Sequence, residues 1–210
     1  VYDRMAQTLD VPILAANALR TDNGEPYFGD YAIVRRHGLK VAVIGFTNPN
    51  IENAYAPELW EGIDFESLIP DFTQKVVDNV RAEEEPDVVV VAIHSGAGRG
   101  DGMQLEQQGL DLFSSLEGVD FIISSHDHRA AVYQEDEICM FNTGNYCANL
   151  GYGEITLTVE DGKVVDKKLS AWLIPLDKDK VDRKMQEEFR PDYEAVKAFV
   201  TRKVGSLKSD

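Results

Sequence analysis

The sequence holds four histidines, and three of them follow directly on its two most apolar runs. His94 closes Val88 to Ile93 (VVVVAI) and opens His94-Ser95-Gly96. His126 and His128 follow Phe121 to Ser124 (FIIS), in the string Ser125-His126-Asp127-His128-Arg129. Neutral imidazole is a good ligand for zinc, iron and manganese. Such cations generate hydroxide near neutral pH and neutralise the oxygens of a phosphoryl group in transfer. A lone loop histidine is more often an ordinary hydrogen-bonding residue, and His37, in a turn after Arg35-Arg36, is read that way. Three histidines at two strand ends favour a metal site made of His94, His126 and His128. Asp127 keeps two readings, a residue that orients a ligand histidine or a solvated turn residue. Arg129 also keeps two, a phosphate contact or an exposed structural arginine.

The three imidazoles meet only if both runs are neighbouring strands that end at one rim. Ligand sites in layered α/β sheets form beyond the carboxyl ends of the strands. The stretch from His94 to His126 holds a glycine-rich loop (96–102) and a predicted helix (103–116), the length of a crossover between parallel strands. Val11 to Ala16 reads as a short buried strand and 17–29 as loop. Tyr31 to Arg36 and Leu39 to Phe46 read as a hairpin around His37-Gly38. Residues 65–84 carry the helical spacing of Phe72, Val76, Val77 and Val80. From Ala130 onward the pattern becomes consecutive strands (130–134, 138–142, 153–159 and 163–173), with Asp161-Gly162 as a hairpin turn. A helical tail over 1–9 opens the chain, and helices around Met185 and after Pro191 close it. Strands and helices in alternation, followed by a strand meander, predict a layered α/β domain.

The net charge of −16 opposes binding to a nucleic-acid polymer, which depends on Lys and Arg neutralising phosphates. A small phosphorylated substrate is compatible with it where a bound cation reverses the local sign. No apolar run approaches the roughly 20 residues of a membrane helix. Cys139 and Cys147 form no CxxC pair. They read as two small buried apolar residues, with a cross-strand disulfide as the alternative. Val1 is not an initiator residue, so an upstream segment is expected.

At its histidine motifs the chain resembles the calcineurin-like metallophosphoesterase superfamily, in its 5′-nucleotidase and 2′,3′-cyclic-nucleotide 2′-phosphodiesterase branch. The resemblance rests on Ile93 to Gly96 and on Val119-Asp120 through His126-Asp127-His128. Pro12 to Asn17, Lys40 to Gly45 and Asn142 to Asn145 support it. It implies a layered sandwich of mixed β-sheets flanked by helices, with the N-terminal strands missing. It implies a partial catalytic domain over 1–205 and the start of a linker to a further domain over 206–210. It also implies a hydrolase of nucleotides or related small phosphoesters, periplasmic or exported, using two divalent metals such as zinc or manganese. His94 and His126 would bind one metal and His128 the other; Asn145 and Arg129 are the candidates for substrate contact.

Two departures from the family pattern stand out. Ser125 replaces the usual glycine before the first histidine of the last motif. The family's Asp-x-His and Gly-Asn-His-Asp/Glu motifs are absent, and no Asn-His pair occurs. The chain alone is therefore expected to hold a partial or empty metal site, to lack activity, and to pair with its missing N-terminal segment or another copy. The rival readings are a thiosulfate-ester hydrolase of the same superfamily and a degenerate metal-binding or structural module.

Overall fold

Four apolar runs form the parallel centre of a six-stranded sheet in the computed structural model, which describes residues 2–205. In chain order the strands are Ala18–Arg20 (β1), Tyr31–Arg36 (β2), Leu39–Phe46 (β3), Ile63–Phe65 (β4) and Val88–Ile93 (β5). They continue with Phe121–Ser124 (β6), Ala130–Gln134 (β7), Cys139–Thr143 (β8), Asn149–Glu160 (β9) and Lys163–Pro175 (β10). The helices are Tyr2–Thr8 (α1), Ile51–Ala54 (α2), Pro70–Glu84 (α3), Gly109–Ser115 (α4), Arg183–Glu188 (α5) and Arg190–Val200 (α6). The sheet order is β2-β3-β5-β6-β8-β7. Its four inner strands are parallel and its two edges, β2 and β7, antiparallel.

Alternation along β5 explains why the whole run is apolar: it is covered on two faces. Val89, Val91 and Ile93 join Ala42, Ile44, Ile122 and Met140 in the core that also takes Val77 and Val80 of α3 and Leu112 of α4. Val90 turns the other way, toward a second cluster of Phe121, Cys139 and Phe141 under Leu169 of the β9–β10 hairpin. The hairpin covers only part of that face. Leu39, Val41, Val88, Val90 and Ile123 line an open apolar groove of about 510 Å³, and Ile123, on a central strand, is 39% exposed.

Asp120 anchors the start of β6. Its buried carboxylate accepts from the Val89 N–H at 2.7 Å and from Lys167 Nζ at 2.8 and 3.0 Å. D120N keeps the acceptor and loses the charge-assisted bond, so urea denaturation is expected to show a loss of about 1 kcal/mol.

Four sequence expectations change. Val11 to Ala16 forms no strand beyond a single bridge from Leu14 to Gly29. The Ala15 and Ala16 N–H groups donate instead to Gly29 O and Gly45 O. The helix expected over 65–84 starts at Pro70, because a residue before proline is held extended; Ile69 sits at φ −78°, ψ 151°. The helix expected from Met103 starts at Gly109, for reasons that lie in the site. The cysteines differ from the buried-pair expectation: both are free, Cys139 buried and Cys147 exposed. Burial raises the pKa of the Cys139 thiol.

The chain divides into two units, Val1–Leu176 and Asp177–Asp210. In the second, Asp182 caps α5 by accepting from the Lys184 and Met185 N–H groups, and Pro191 occupies the first turn of α6. The linker expected over 206–210 lies outside the described residues. Among the described residues no helix is long and apolar enough to cross a membrane.

Candidate metal centre

The register of the parallel strands carries β3, β5 and β6 to one rim. Phe46 stands beside Ile93, and Ala92 beside Ile123. The loops beyond stay locked together. The His94 N–H donates to Phe46 O at 3.0 Å, and the Ser125 N–H donates to Ser95 O at 3.2 Å. Asp127 joins the two histidine loops, accepting from the Ala97 N–H at 3.1 Å, Asn142 Nδ2 at 2.8 Å and the Arg129 N–H at 3.2 Å. Asp127 is thus a turn residue, half-buried, whose bonds also brace the two loops. His126 (φ 86°) and His128 (φ 60°) both occupy left-handed backbone, a conformation that costs non-glycine residues energy and gathers at functional sites.

The structure brings two of the three histidines together. The rings of His94 and His126 lie edge to face, centroids 5.1 Å apart, with His94 Nε2 3.3 Å from His126 Nδ1. At zinc–nitrogen distances of about 2.0–2.1 Å and tetrahedral angles, two ligand nitrogens on one ion stand about 3.3–3.4 Å apart. The 3.3 Å separation falls in that range. His128 is exposed and does not complete the cluster. Among the described residues no group of three or more His, Cys, Asp or Glu side chains converges on one cation position, so a single zinc on all three histidines would need a rearranged loop.

Partial burial holds the His94 pKa below the ordinary histidine value. Repulsion from His126 and, more weakly, His128 lowers it further, while the Glu106 carboxylate opposes both. The ring is therefore neutral, as a ligand must be, at neutral pH. In an NMR titration His94 is expected to protonate at lower pH than an ordinary solvated imidazole. Cation affinity should fall as the pH drops through that range, because protons then compete for the ring.

Three residues with no role assigned from the sequence surround the pair. Ser125 Oγ lies 2.9 Å from His94 Nδ1. Asn48, just past β3, reaches Glu106 Oε1 at 3.2 Å and His126 Nδ1 at 3.3 Å. Glu106 Oε1 is 3.6 Å from His126 Nε2. The segment before Gly109 serves this arrangement and so is not helical. Glu106 O accepts from the Gly96 N–H, and the Gln108 N–H donates to Ser95 Oγ. Asn145 is half-buried and Arg129 exposed. Gly144 lies against Ala130 and the His128 carbonyl, so the 142–145 loop borders the His128 turn. Asn17, from the Pro12 to Asn17 stretch, has a bracing role. Its buried amide donates to Thr47 O and Glu66 O, both at 3.0 Å, and accepts from the Thr47 N–H at 2.8 Å.

The family model described as bacterial capsule synthesis protein PGA_cap matches residues 25–150. The chain belongs to the PGA_cap family. The matched stretch of this PGA_cap chain contains His94, His126 and His128. Over 85 residues it is 33% identical to protein UshA of Escherichia coli, covering 40% of this chain and 15% of UshA. Over 96 residues it is 33% identical to a 5′-nucleotidase of Vibrio cholerae, covering 46% of this chain and 17% of that protein. The matches thus span a small part of each curated relative. In fold, the PGA_cap chain is similar to the calcineurin-like phosphoesterase YfkN of Bacillus subtilis. The TM-score is 0.75 at 21% identity, over 95% of this chain and 67% of YfkN. The resemblance to the 5′-nucleotidase branch of the metallophosphoesterases is borne out, as is the mixed α/β fold.

Proposed function

We propose that this chain is part of a metal-dependent hydrolase of nucleotides or related small phosphoesters, with His94 and His126 holding one cation. The observation that carries the reading is the 3.3 Å approach of His94 Nε2 to His126 Nδ1 at the rim where the parallel strands end. Divalent cations supply Lewis acidity and hydroxide generation at neutral pH. The chain's own residues hold the cation and set substrate beside it. His128, exposed on the following turn, serves a second cation. Arg129 and Asn145 border that position and contact the phosphoryl group. The net charge of −16 favours small substrates over a polyanion.

Two imidazoles give a cation few ligands and no carboxylate charge. We therefore assign the remaining ligands of a dinuclear centre to residues outside these 210, and expect the chain alone to be inactive. The open groove along Leu39, Val88 and Ile123 suits a further β-segment that would bring those ligands, or a second copy of the chain. The 5′-nucleotidase relatives favour an exported protein.

The test is an assay of nucleoside monophosphates, 2′,3′-cyclic nucleotides and a generic phosphate ester with added zinc or manganese. It is run on the chain alone and with an upstream segment carrying Asp-x-His and Gly-Asn-His motifs. Activity is expected only with the segment. Strong activity from the chain alone contradicts the half-site reading. Bound metal without activity in either form favours a binding module, and a requirement for a sulfur-carrier protein favours the thiosulfate-ester reading.

A further inference from the structure

The β9–β10 hairpin is a sheet of two strands, and a ribbon of that kind is marginal in water by itself. It stands over one side of the six-stranded sheet. Leu169, Ala171 and Leu173 of β10 join Cys139 and Phe141 of β8 in one cluster. Gly153 of β9 lies against Phe121, where a Cβ would stand 2.9 Å from the ring. Beyond β9 the cover stops. Leu39 and Val41 of β3, Val88 and Val90 of β5 and Ile123 of β6 line the open groove. The hairpin's share of the lining is Gly153, Ile155 and Leu157, all on β9 and none on β10. Among the described residues β9 pairs with β10 alone. Its other edge therefore presents a row of unpaired backbone N–H and C=O groups along the groove. The register irregularity of the ribbon falls at Val164 and Asp166 of β10, so no bulge blunts the β9 edge. A long regular edge beside exposed apolar surface is a template for strand addition.

We infer that strands of an upstream segment add to the free edge of β9 and roof the groove. This rests on the reading, proposed above, that polypeptide outside these 210 residues completes the domain. Neighbouring strands stand about 4.8 Å apart and stacked sheets about 10 Å apart, so covering β6, β5 and β3 takes about three strands. The first pairs with β9 along its length. It turns every second side chain, an apolar one, down onto Val90 and Ile123. The likeness to YfkN covers 67% of that chain, which leaves about a third of it for elements of this kind. A second copy of the chain does not fit the same edge. An antiparallel pair of β9 strands has its two-fold axis perpendicular to the ribbon. Both six-stranded sheets would then fall on one side of the joined ribbon. Because β6, β5 and β3 extend past the β9 edge, the two sheets would claim the same space.

The experiment is hydrogen exchange, read amide by amide, on the 210-residue chain and on the same chain extended by its upstream segment. In the chain alone, the β9 amides that do not pair with β10 are expected to exchange as open backbone. In the extended chain they are expected to exchange at least about 100-fold more slowly. I123D puts a charge beneath the added strands. It should leave the chain alone folded, because Ile123 is exposed there. In the extended chain it should remove the added β9 protection while the amides of α3, on the opposite face of the sheet, keep theirs; I123V should retain both. Equal exchange of those β9 amides in the two forms, or full protection in extended I123D, overturns the inference. So does a dimer of the chain alone, seen by light scattering, in which the same amides are protected. Protected β9 amides in an extended chain that hydrolyses no phosphoester leave the added strands standing and defeat the hydrolase reading instead.

Discussion

Alanine at His94 or at His126 is expected to lower cobalt(II) affinity more than about 100-fold, a loss beyond that of removing an outer-shell partner. Each ring supplies one of the two nitrogens that stand 3.3 Å apart, and a single imidazole on a loop does not retain a cation against water. The exposed His37 gives a matched control, because H37A removes an imidazole far along the chain and should leave the titration unchanged. H128A separates the two cation positions: on the chain alone it should cost less than about tenfold, because His128 does not share the His94–His126 position. Loss of binding in H128A equal to that in H126A would mean that all three rings serve one cation. The melting temperature should fall only slightly in H94A, since the ring lies at the rim and loses just its contacts with Ser125 Oγ and the His126 ring.

The second large effect is expected at Gly96, where stability and binding fall together. A Cβ at this position would lie 2.7 Å from Asp127 Cβ, 2.9 Å from its Cγ and 3.0 Å from its Oδ2. Asp127 has little room to retreat, because its carboxylate is held by the Ala97 N–H and by Asn142. G96A must therefore push apart the two loops that carry His94 and His126. Overpacking of this kind costs about 2–3 kcal/mol, and urea denaturation measures it directly. Cobalt affinity should drop at least tenfold in the same variant, because a shift of a few tenths of an ångström spoils a fit set by ligand distances. Unchanged affinity in a destabilised G96A would show that the loops hold the histidines independently of their junction.

The site was legible in the sequence to the extent that it depended on strands. Runs such as Val88 to Ile93 are apolar throughout because both faces are covered, and each ends in a histidine at the rim. The hairpin at His37-Gly38 and the antiparallel pair joined by Asp161-Gly162 were legible for a similar reason, as local turn chemistry between strongly patterned arms. Glu106 and Asn48 were not legible. Each meets His126 only because loops after β3, β5 and β6 converge, and a convergence of loops leaves no period in the sequence. The misread helix at Met103 shows the same limit. Leu105, Leu110, Leu112 and Leu116 suggest a longer helix, but the Gly96 N–H and Ser95 Oγ engage the backbone of Glu106 and Gln108. Val11 to Ala16 failed as a strand for a packing reason. Leu14 presses so closely on Gly45 that a Cβ there would lie 2.4 Å from Leu14 Cβ.

The most direct measurement is zinc titration of the nitrogen-15-labelled chain, following both ring nitrogens of all four histidines. Zinc is expected to shift His94 Nε2 and His126 Nδ1 together, at one equivalent, and to leave His37 unmoved. Shifts confined to His37 or to His128, or zinc bound through His94 Nδ1 or His126 Nε2, would contradict a cation shared between the two facing nitrogens.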